Sequence, residues 1–272
     1  MEKTAGDIMS APVELIYFSA TGTTRRILEA VARTLGPDEV IRTDLTSPGE
    51  LETISSPEQG LAVIGVPVYA GRVAPPAAER LRKHVYGDGR PAALVVLYGN
   101  RDYEDALLEL KDIAEDLGFI PVAGAAFIGE HSYSTPEKPV AEGRPDLDDE
   151  KLAEEYGRRI REKLSRGRPS SLPDLELPGN RPHREGTQPN EVAPETAPQR
   201  CVLCGECARS CPMGAITVTD EVVTEALKCV MCCACTRICP FDARSLTHER
   251  VEGFRDMLTT KFSSRNEPEF FV

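Results

Sequence analysis

The sequence has no tryptophan and no cysteine before Cys201. It also lacks any apolar run of about 20 residues, the length of a membrane span. Its first dozen residues contain no apolar stretch typical of a signal peptide, so we expect a cytoplasmic chain. Basic residues are in deficit, with 32 Lys and Arg against 44 Asp and Glu and a net charge of −12. This balance disfavours binding to nucleic acid or to anionic membranes.

All nine cysteines lie between Cys201 and Cys239. A disulfide framework is normally spread over the fold that it staples, so this crowding indicates a metal centre. A shift of 28 residues maps CVLCGECARSCP at 201–212 onto CVMCCACTRICP at 229–240. Each half has the spacing C-x2-C-x2-C-x3-C-P, in which three cysteines bind one [4Fe–4S] cluster and the fourth binds the other. Zinc knuckles are the alternative, and the doubled pattern disfavours them.

The repeat gives two ligand sets. We assign one cluster to Cys201, Cys204, Cys207 and Cys239, and the other to Cys229, Cys232, Cys235 and Cys211. Cys233 falls on Gly205 in the repeat, so we expect a bystander thiol, with a swapped ligand or a redox-reactive thiol as the alternative. Over about residues 199–247 the sequence resembles the bacterial two-[4Fe–4S] ferredoxin family.

One position breaks the repeat. Arg244 stands where the first half has Ile216. We expect Arg244 to be a solvated surface residue; the alternative is a positive charge beside a cluster, which would raise the reduction potential of that cluster.

The first part of the chain alternates between short apolar runs and helical patterns. Strands are predicted at 13–18, 38–45, 61–66, 92–98 and 121–128, and helices at 25–35, 76–85, 102–117 and 148–164. Nearly continuous apolar strands separated by helices indicate an α/β fold with a parallel sheet that is covered on both faces.

A loop rich in hydroxyl groups follows the first strand, at the start of the first helix. It reads SATGTT and contains the candidate phosphate ligands Ser19, Ala20, Thr21, Gly22, Thr23 and Thr24. A helix N-terminus binds phosphate through backbone N–H groups and the helix dipole. The loop is neither a Walker A sequence nor a G-x-G-x-x-G fingerprint. The alternative is a cluster of capping residues without a ligand.

This loop resembles the flavodoxin family, whose motif is close to [ST]-x-T-G-x-T, and the resemblance extends over residues 13–165 in element order. It implies a doubly wound five-stranded parallel sheet in the order 2-1-3-4-5, with FMN at the point where the strand order reverses. The family's flavin lies between two further loops. Here these supply Pro67, Val68, Tyr69, Ala70 and Gly71, and then Tyr98, Gly99, Asn100, Arg101 and Tyr103.

At least one of the three tyrosines in these loops is expected to stack on the flavin. Arg72 and Arg101 stand where acidic residues are common in flavodoxins, and a positive charge there would stabilise the anionic reduced flavin. His131 and Tyr133, in the loop after the last predicted strand, are expected to face the flavin or the iron–sulfur domain, although a purely structural His131 is the simpler interpretation.

The predicted organisation has four parts: a flavodoxin-like domain at 12–166, a proline-rich linker at 167–198, a small α+β two-[4Fe–4S] domain at 199–247, and a C-terminal helix and tail at 248–272. The linker is expected to be a passive spacer, or else a strap across the first domain. The apolar tail is expected to pack on the chain's own surface, with a second subunit or a redox partner as the alternative.

The combination resembles fused flavodoxin–ferredoxin proteins, which are found mainly in anaerobes. The resemblance implies an electron-transfer protein that connects a protein redox partner, two [4Fe–4S] clusters and FMN. The alternatives are a flavin-dependent reductase of a small molecule that receives its electrons through the clusters, and a redox sensor that uses Cys233. A homodimer is possible on this interpretation, and no catalytic residue stands out.

Overall fold

The computed structural model describes residues 11–36, 39–49, 60–186 and 191–272. The first part contains the strands β1 (Val13–Tyr17), β2 (Val40–Asp44), β3 (Leu61–Tyr69), β4 (Arg72–Val73), β5 (Pro91–Tyr98) and β6 (Ile120–Ile128). Its helices are α1 (Thr23–Leu35), α2 (Pro75–His84), α3 (Ala106–Asp116) and α4 (Leu147–Ser165). All nine elements predicted from the sequence are present, although Asp38, in the second predicted strand, lies outside the described residues.

These strands form one sheet in the order β2-β1-β3-β5-β6, and all five run parallel. In order of appearance along the chain this is 2-1-3-4-5, so the predicted flavodoxin-like architecture is confirmed. The sheet is larger than predicted, because β4 pairs antiparallel with β3 and a C-terminal strand, β11 (Glu269–Phe271), pairs antiparallel with β6.

Successive residues of each central strand alternate between two cores, as the pleat of a strand requires. Ile16, on β1, packs with residues of α2 and α3 on one face, whereas its neighbour Leu15 packs with residues of α1 and α4 on the other. Both residues are fully buried. The continuous apolar runs of the sequence are therefore strands that are covered on both faces.

The cysteine-rich segment forms a small unit. It contains β7 (Glu195–Thr196), α5 (Glu206–Arg209), β8 (Ile216–Val218), β9 (Val222–Thr224), α6 (Ala234–Arg237) and β10 (Arg244–Ser245). The strands form the antiparallel pairs β7–β10 and β8–β9. The two short helices occupy equivalent positions in the 28-residue repeat, so the sequence repeat is also a structural one.

The C-terminal segment returns to the first sheet. Helix α7 (Glu249–Lys261) leads to β11 (Glu269–Phe271), which covers the open edge of β6 with Phe270 opposite Ala125. The ring of Phe270 lies 5.3 Å from that of Tyr156 and 5.5 Å from that of Phe127, measured between centroids. The tail therefore packs on the chain's own sheet and pairs an edge that would otherwise be exposed.

The proline-rich segment lies along α3. The carboxylate of Asp105 accepts hydrogen bonds from the backbone N–H of Asn180 (2.9 Å) and from that of Arg184 (2.7 Å). Asp112 pairs with the side chains of Arg181 and His183. Of the two interpretations of the linker, the structure therefore shows the strap rather than the passive spacer.

Among the described residues, no helix is both long and apolar enough to cross a membrane.

Candidate functional site

A cavity of about 1180 Å³ lies at the carboxyl ends of the central strands. In an open parallel sheet this is the position where ligands bind, because the strand order reverses there and the loops diverge. Twelve of the sixteen predicted cofactor-binding residues line this cavity: Ala20, Thr21, Thr23, Thr24, Pro67, Val68, Tyr69, Ala70, Gly71, Tyr98, Gly99 and Arg101.

The floor of the cavity is the N-terminus of α1. Gly22 has φ 82°, a left-handed conformation that favours glycine, and it turns the chain from β1 into the helix. The N-cap residue Gly22 has no side chain to cap this helix, and the first turn contains no acidic residue. The hydroxyl of Thr24 is buried without a hydrogen-bond partner and belongs to the cavity wall. Free helix N–H groups and an unpaired buried hydroxyl suit a phosphate group.

Four predicted residues do not belong to the wall. The Ser19 hydroxyl accepts from the backbone of Arg25, and Gly22 only shapes the turn. The Asn100 side chain donates to the carbonyl groups of Phe262 (2.7 Å) and Ser264 (2.8 Å). The Tyr103 hydroxyl donates to Glu269 (3.0 Å). Asn100 and Tyr103 therefore hold the C-terminal segment, a role that no local sequence pattern indicates.

The two arginines expected near the flavin are compensated by carboxylates. Arg72 lies off the cavity wall and forms a two-pronged ion pair with Glu109, with both N···O distances 2.7 Å. Arg101 lines the cavity but donates both terminal nitrogens to Glu104. The expectation of a free positive charge beside the flavin is therefore wrong for Arg72 and weakened for Arg101.

His131 and Tyr133 form the side of the cavity opposite the sheet. The His131 ring packs so closely on Gly99 that a Cβ atom at Gly99 would lie 2.3 Å from His131 Cδ2. Burial, together with the positive charges of Arg237, Arg101 and Arg255, lowers the pKa of His131 to about 4. The ring is therefore neutral near pH 7. Its Nδ1 accepts from the backbone N–H of Tyr133 (3.0 Å), so the proton of the neutral ring is on Nε2.

The cysteine-rich unit and α7 complete the cavity, which the sequence did not predict. From the first come Met213, Leu227, Lys228, Cys229, Val230 and Met231, and from the second come Arg250, Val251, Phe254 and Met257. Tyr69 stands between the two parts of the chain. Burial raises the pKa of Tyr69 well above its usual value, and the nearby thiols of Cys232 and Cys233 add to this effect.

Several direct contacts fix the two parts of the chain against each other. Arg237, on α6, donates to the carbonyl oxygen of His131 (2.8 Å) and pairs with Glu130 (3.3 Å). The Tyr133 hydroxyl lies 3.7 Å from the sulfur of Met231. A further contact joins α2 to the cysteine-rich unit, where Arg80 donates to the carbonyl oxygen of Pro212 (2.5 Å). The cysteine-rich unit therefore sits directly on the loops that surround the cavity.

The eight ligand candidates surround two small cavities. Cys201, Cys204, Cys207 and Cys239, the outer cysteine set, line the first. Cys211, Cys229, Cys232 and Cys235, the inner cysteine set, line the second. Each set takes three cysteines from one half of the repeat and one from the other, as the crossed assignment requires. Within the described residues, no three His, Cys, Asp or Glu side chains are placed to hold a single metal ion.

The surroundings of the thiols suit iron–sulfur clusters. Backbone N–H groups donate to the sulfur atoms of Cys211 (3.3 Å), Cys229 (3.4 Å) and Cys239 (3.3 Å). Burial raises the pKa of Cys232 to about 12, so its thiolate needs a metal centre to be stable. The two sets differ in access, since Cys204 is exposed whereas Cys211, Cys232 and Cys235 are buried.

Cys233 lines the inner cavity but differs from the ligand candidates. It is buried with Val192, Leu246 and Val251, and its thiol lies 3.6 Å from the carbonyl oxygen of Met231. Its φ of 57° matches the left-handed conformation of its repeat partner Gly205, whose φ is 79°. The backbone repeat therefore holds even where the residue type changes.

Arg244 is buried, so the expectation of a solvated residue is wrong. It is 5% exposed. Its Nη1 donates to the Thr196 hydroxyl (2.6 Å), and its Nη2 donates to the Thr224 hydroxyl (2.9 Å) and to Cys235 Sγ (3.7 Å).

Comparison with known proteins agrees with the division of the chain. Residues 200–252 match the family model of the 4Fe–4S dicluster domain. This part of the chain is therefore an iron–sulfur domain, and iron–sulfur clusters are its cofactors. No curated protein sequence matches this chain significantly.

Solved structures resemble the N-terminal part. A flavodoxin from the domain Archaea is 14% identical, with a TM-score of 0.42, and the alignment covers 56% of this chain and 98% of that one. A flavodoxin from Streptococcus pneumonia TIGR4 is 16% identical, with a TM-score of 0.41, over 57% of this chain and 99% of that one. Rubredoxin oxygen:oxidoreductase from Desulfovibrio gigas is 11% identical, with a TM-score of 0.37, and this chain covers 38% of it.

Proposed function

We propose that this chain is an iron–sulfur flavoprotein that transfers electrons between an external protein partner, two [4Fe–4S] clusters and an FMN bound in the cavity. One observation carries the proposal: the cavity that begins at the N-terminus of α1 is closed on its opposite side by Cys229 and Met231 of the cysteine-rich unit. A phosphate site and a cluster ligand therefore share the wall of one cavity.

The residues present fit both kinds of cofactor. FMN would place its phosphate at the α1 N-terminus, where Thr21, Thr23 and the unpaired Thr24 hydroxyl lie. Its ring would lie near Tyr69, within the loops after β3 and β5. Bound there, the flavin exchanges one or two electrons, and each cluster exchanges one. The chain itself lines the cavity with the aromatic rings of Phe254 and Tyr133, and it holds a neutral His131 whose Nε2–H is a hydrogen-bond donor.

The contact between the two parts makes transfer between the cofactors intramolecular. A tethered and docked pair of redox centres reacts at a rate that does not depend on protein concentration, because the effective concentration is set by the structure. The ion pair between Arg237 and Glu130 and the contact between Tyr133 and Met231 hold this arrangement.

Composition is the first test of the proposal. Purified protein should contain about eight irons and eight sulfides, as two clusters require, and one FMN per chain. Four irons would contradict the crossed ligand sets, and absence of FMN would contradict the interpretation of the cavity.

Kinetics are the second test. After the clusters are photoreduced, the flavin absorbance should bleach in a first-order process whose rate is independent of protein concentration. Arg237→Gln should slow this process because it removes the contacts with His131 and Glu130. Arg209, the repeat counterpart of Arg237, pairs locally with Glu206 and provides a matched control. Equal effects of Arg209→Gln and Arg237→Gln would show that docking does not set the rate.

A second function is favoured by the size of the cavity. Small-molecule pockets usually measure about 300–1,000 Å³, and this cavity of about 1180 Å³ exceeds that range. The extra space would suit a reductase whose small substrate approaches the flavin near His131. Anaerobic turnover of a small molecule at roughly ten per second or faster, a typical enzyme rate, would favour the reductase, and transfer to protein acceptors alone would favour the carrier.

A further inference from the structure

Arg244 occupies a position between the two cysteine sets. Its Nη2 lies 3.7 Å from the sulfur of Cys235, in the inner set. The same side chain belongs to the wall of the outer cavity, which is lined by Cys201, Cys204, Cys207 and Cys239. Arg244 therefore lies beside both cluster positions, although its guanidinium donates to a thiol of the inner set only.

Among the described residues, Arg244 forms no ion pair with a carboxylate. Two threonine hydroxyls hold its terminal nitrogens. Its Nε is buried without a hydrogen-bond partner. Arg244 also lines a groove with four acidic residues, but all four are exposed and screened by solvent: Glu191, Glu195, Asp220 and Glu221. A buried, unpaired cation is costly unless an anion lies beside it.

An iron–sulfur cluster would be that anion. With its four thiolates, a [4Fe–4S] cluster is a dianion when oxidised and a trianion when reduced. A neighbouring buried cation stabilises the more negative form and so raises the reduction potential, and N–H···S hydrogen bonds act in the same direction.

The two halves of the repeat differ at this point. The counterpart of Arg244 is Ile216, a buried apolar residue that packs in the same cluster as Cys207, the counterpart of Cys235. Cys235, in the inner set, therefore receives a charged N–H donor, whereas its counterpart Cys207, in the outer set, has the apolar Ile216 nearby. We propose that Arg244 raises the potential of the inner cluster above that of the outer cluster, so that an electron entering at the exposed Cys204 side moves inward to the cluster beside the cavity.

This inference rests on the proposed function for the presence of both clusters, and it adds the direction of electron flow. Its test is a redox titration of the holoprotein followed by electron paramagnetic resonance (EPR). Cys204→Ser identifies the signal of the outer cluster. In the singly reduced wild-type protein, the electron should reside on the inner cluster at least ten times as often as on the outer one. For a one-electron couple this ratio corresponds to 59 mV.

The variants Arg244→Gln and Arg244→Lys separate charge from hydrogen bonding. The Gln variant should lose the preference for the inner cluster, so that the ratio of electron occupancy between the inner and outer clusters falls below three. The Lys variant keeps the charge but loses the planar fork, so its ratio should lie between the two. Arg209→Gln is the control, because Arg209 is exposed and donates to the carbonyl oxygen of Cys204 rather than to a sulfur. It should leave the wild-type ratio unchanged.

The outcomes are distinguishable. Four irons in the wild-type protein would overturn the proposed function and this inference with it. Eight irons together with an unchanged ratio in Arg244→Gln would overturn this inference alone. If the Gln variant assembles fewer than eight irons, the Lys variant decides: a reduced but still inward preference supports the role of Arg244, and an unchanged or inverted ratio contradicts it.

Discussion

The carboxylate of Asp105 holds the proline-rich strap against α3 through hydrogen bonds to two backbone amides. We predict that different replacements of Asp105 free different amides of the strap. The carboxylate is 2% exposed. Its Oδ1 accepts from the backbone N–H (2.9 Å) and the side-chain Nδ2 (3.0 Å) of Asn180, and its Oδ2 accepts from the backbone N–H of Arg184 (2.7 Å). Arg184 is itself part of the cavity wall, so the strap connects this carboxylate to the site.

The magnitude follows from these bonds. In Asp105→Asn, the amide oxygen can keep both bonds to Asn180 if it takes the place of Oδ1, and its NH₂ group then faces the N–H of Arg184. A hydrogen bond to a charged group contributes about 1.5–3 kcal/mol. At about 1.4 kcal/mol per factor of ten, the Arg184 amide should exchange with solvent about ten to one hundred times faster. The Asn180 amide should speed up much less, because it keeps a hydrogen bond to a neutral oxygen. In Asp105→Ala both amides should exchange faster.

Hydrogen–deuterium exchange, resolved to single residues, measures this difference. Asp112→Asn is a control that changes a neighbouring carboxylate, since Asp112 binds the side chains of Arg181 and His183 rather than a backbone amide. The reasoning is refuted if Asp105→Asn accelerates both amides equally, or if Asp105→Ala leaves the Arg184 amide unchanged. Either result would mean that apolar packing of the strap, for example by the buried Leu175, holds it in place.

Three further predictions concern the core, the extra thiol and pH. Arg90 and Glu14 form a fully buried ion pair (2.9 Å). Arg90→Met should therefore lower the free energy of unfolding, measured by urea titration, by about 3–5 kcal/mol, because it leaves a buried carboxylate without its partner. Replacement of both residues by Met should cost clearly less. Cys233→Ala should retain eight irons, whereas Cys235→Ala should not; loss of iron from both would make Cys233 a ligand. Burial lowers the pKa of His131 from 6.5 to about 4, so the stability linked to its neutral form is complete above pH 6.5 and falls as pH drops towards 4. Between pH 7 and pH 5, the free energy of unfolding should therefore fall by up to about 2 kcal/mol more in the wild-type protein than in His131→Gln. Equal losses in the two proteins would contradict this.

Much of the site could be predicted because it depends on local patterns. The phosphate loop is a contiguous strand-to-helix turn, and the position of Thr21, Thr23 and Thr24 in it follows from the order of β1 and α1. Tyr69 and Tyr98 end two parallel strands, and parallel strands place their carboxyl ends at the same edge of the sheet. For these residues, knowledge of the strand order was sufficient to expect them around one cavity.

Other roles depend on partners that are distant in sequence. Asn100 and Tyr103 lie in the expected loop, yet their side chains are engaged by Phe262, Ser264 and Glu269. No spacing rule indicates such pairs, because the contact arises only after the tail has returned to the edge of β6. The antiparallel strand at the edge of the sheet could not be predicted either, because β11 has three residues and its partner β6 lies more than one hundred residues away in the sequence.

The cysteine spacing by itself predicted the iron–sulfur domain that the family model matches at residues 200–252, and the 28-residue repeat predicted which thiols would share a cluster, since both depend on distances along a short segment. Tertiary structure alone decided which cysteine set lies beside the large cavity and where Arg244 points. The sequence favoured a solvated arginine because an isolated charge usually stays in water. In the folded chain Thr196 and Thr224 hold Arg244 beside Cys235. Burial of that charge depends on three separate segments closing around it, and only the fold brings them together.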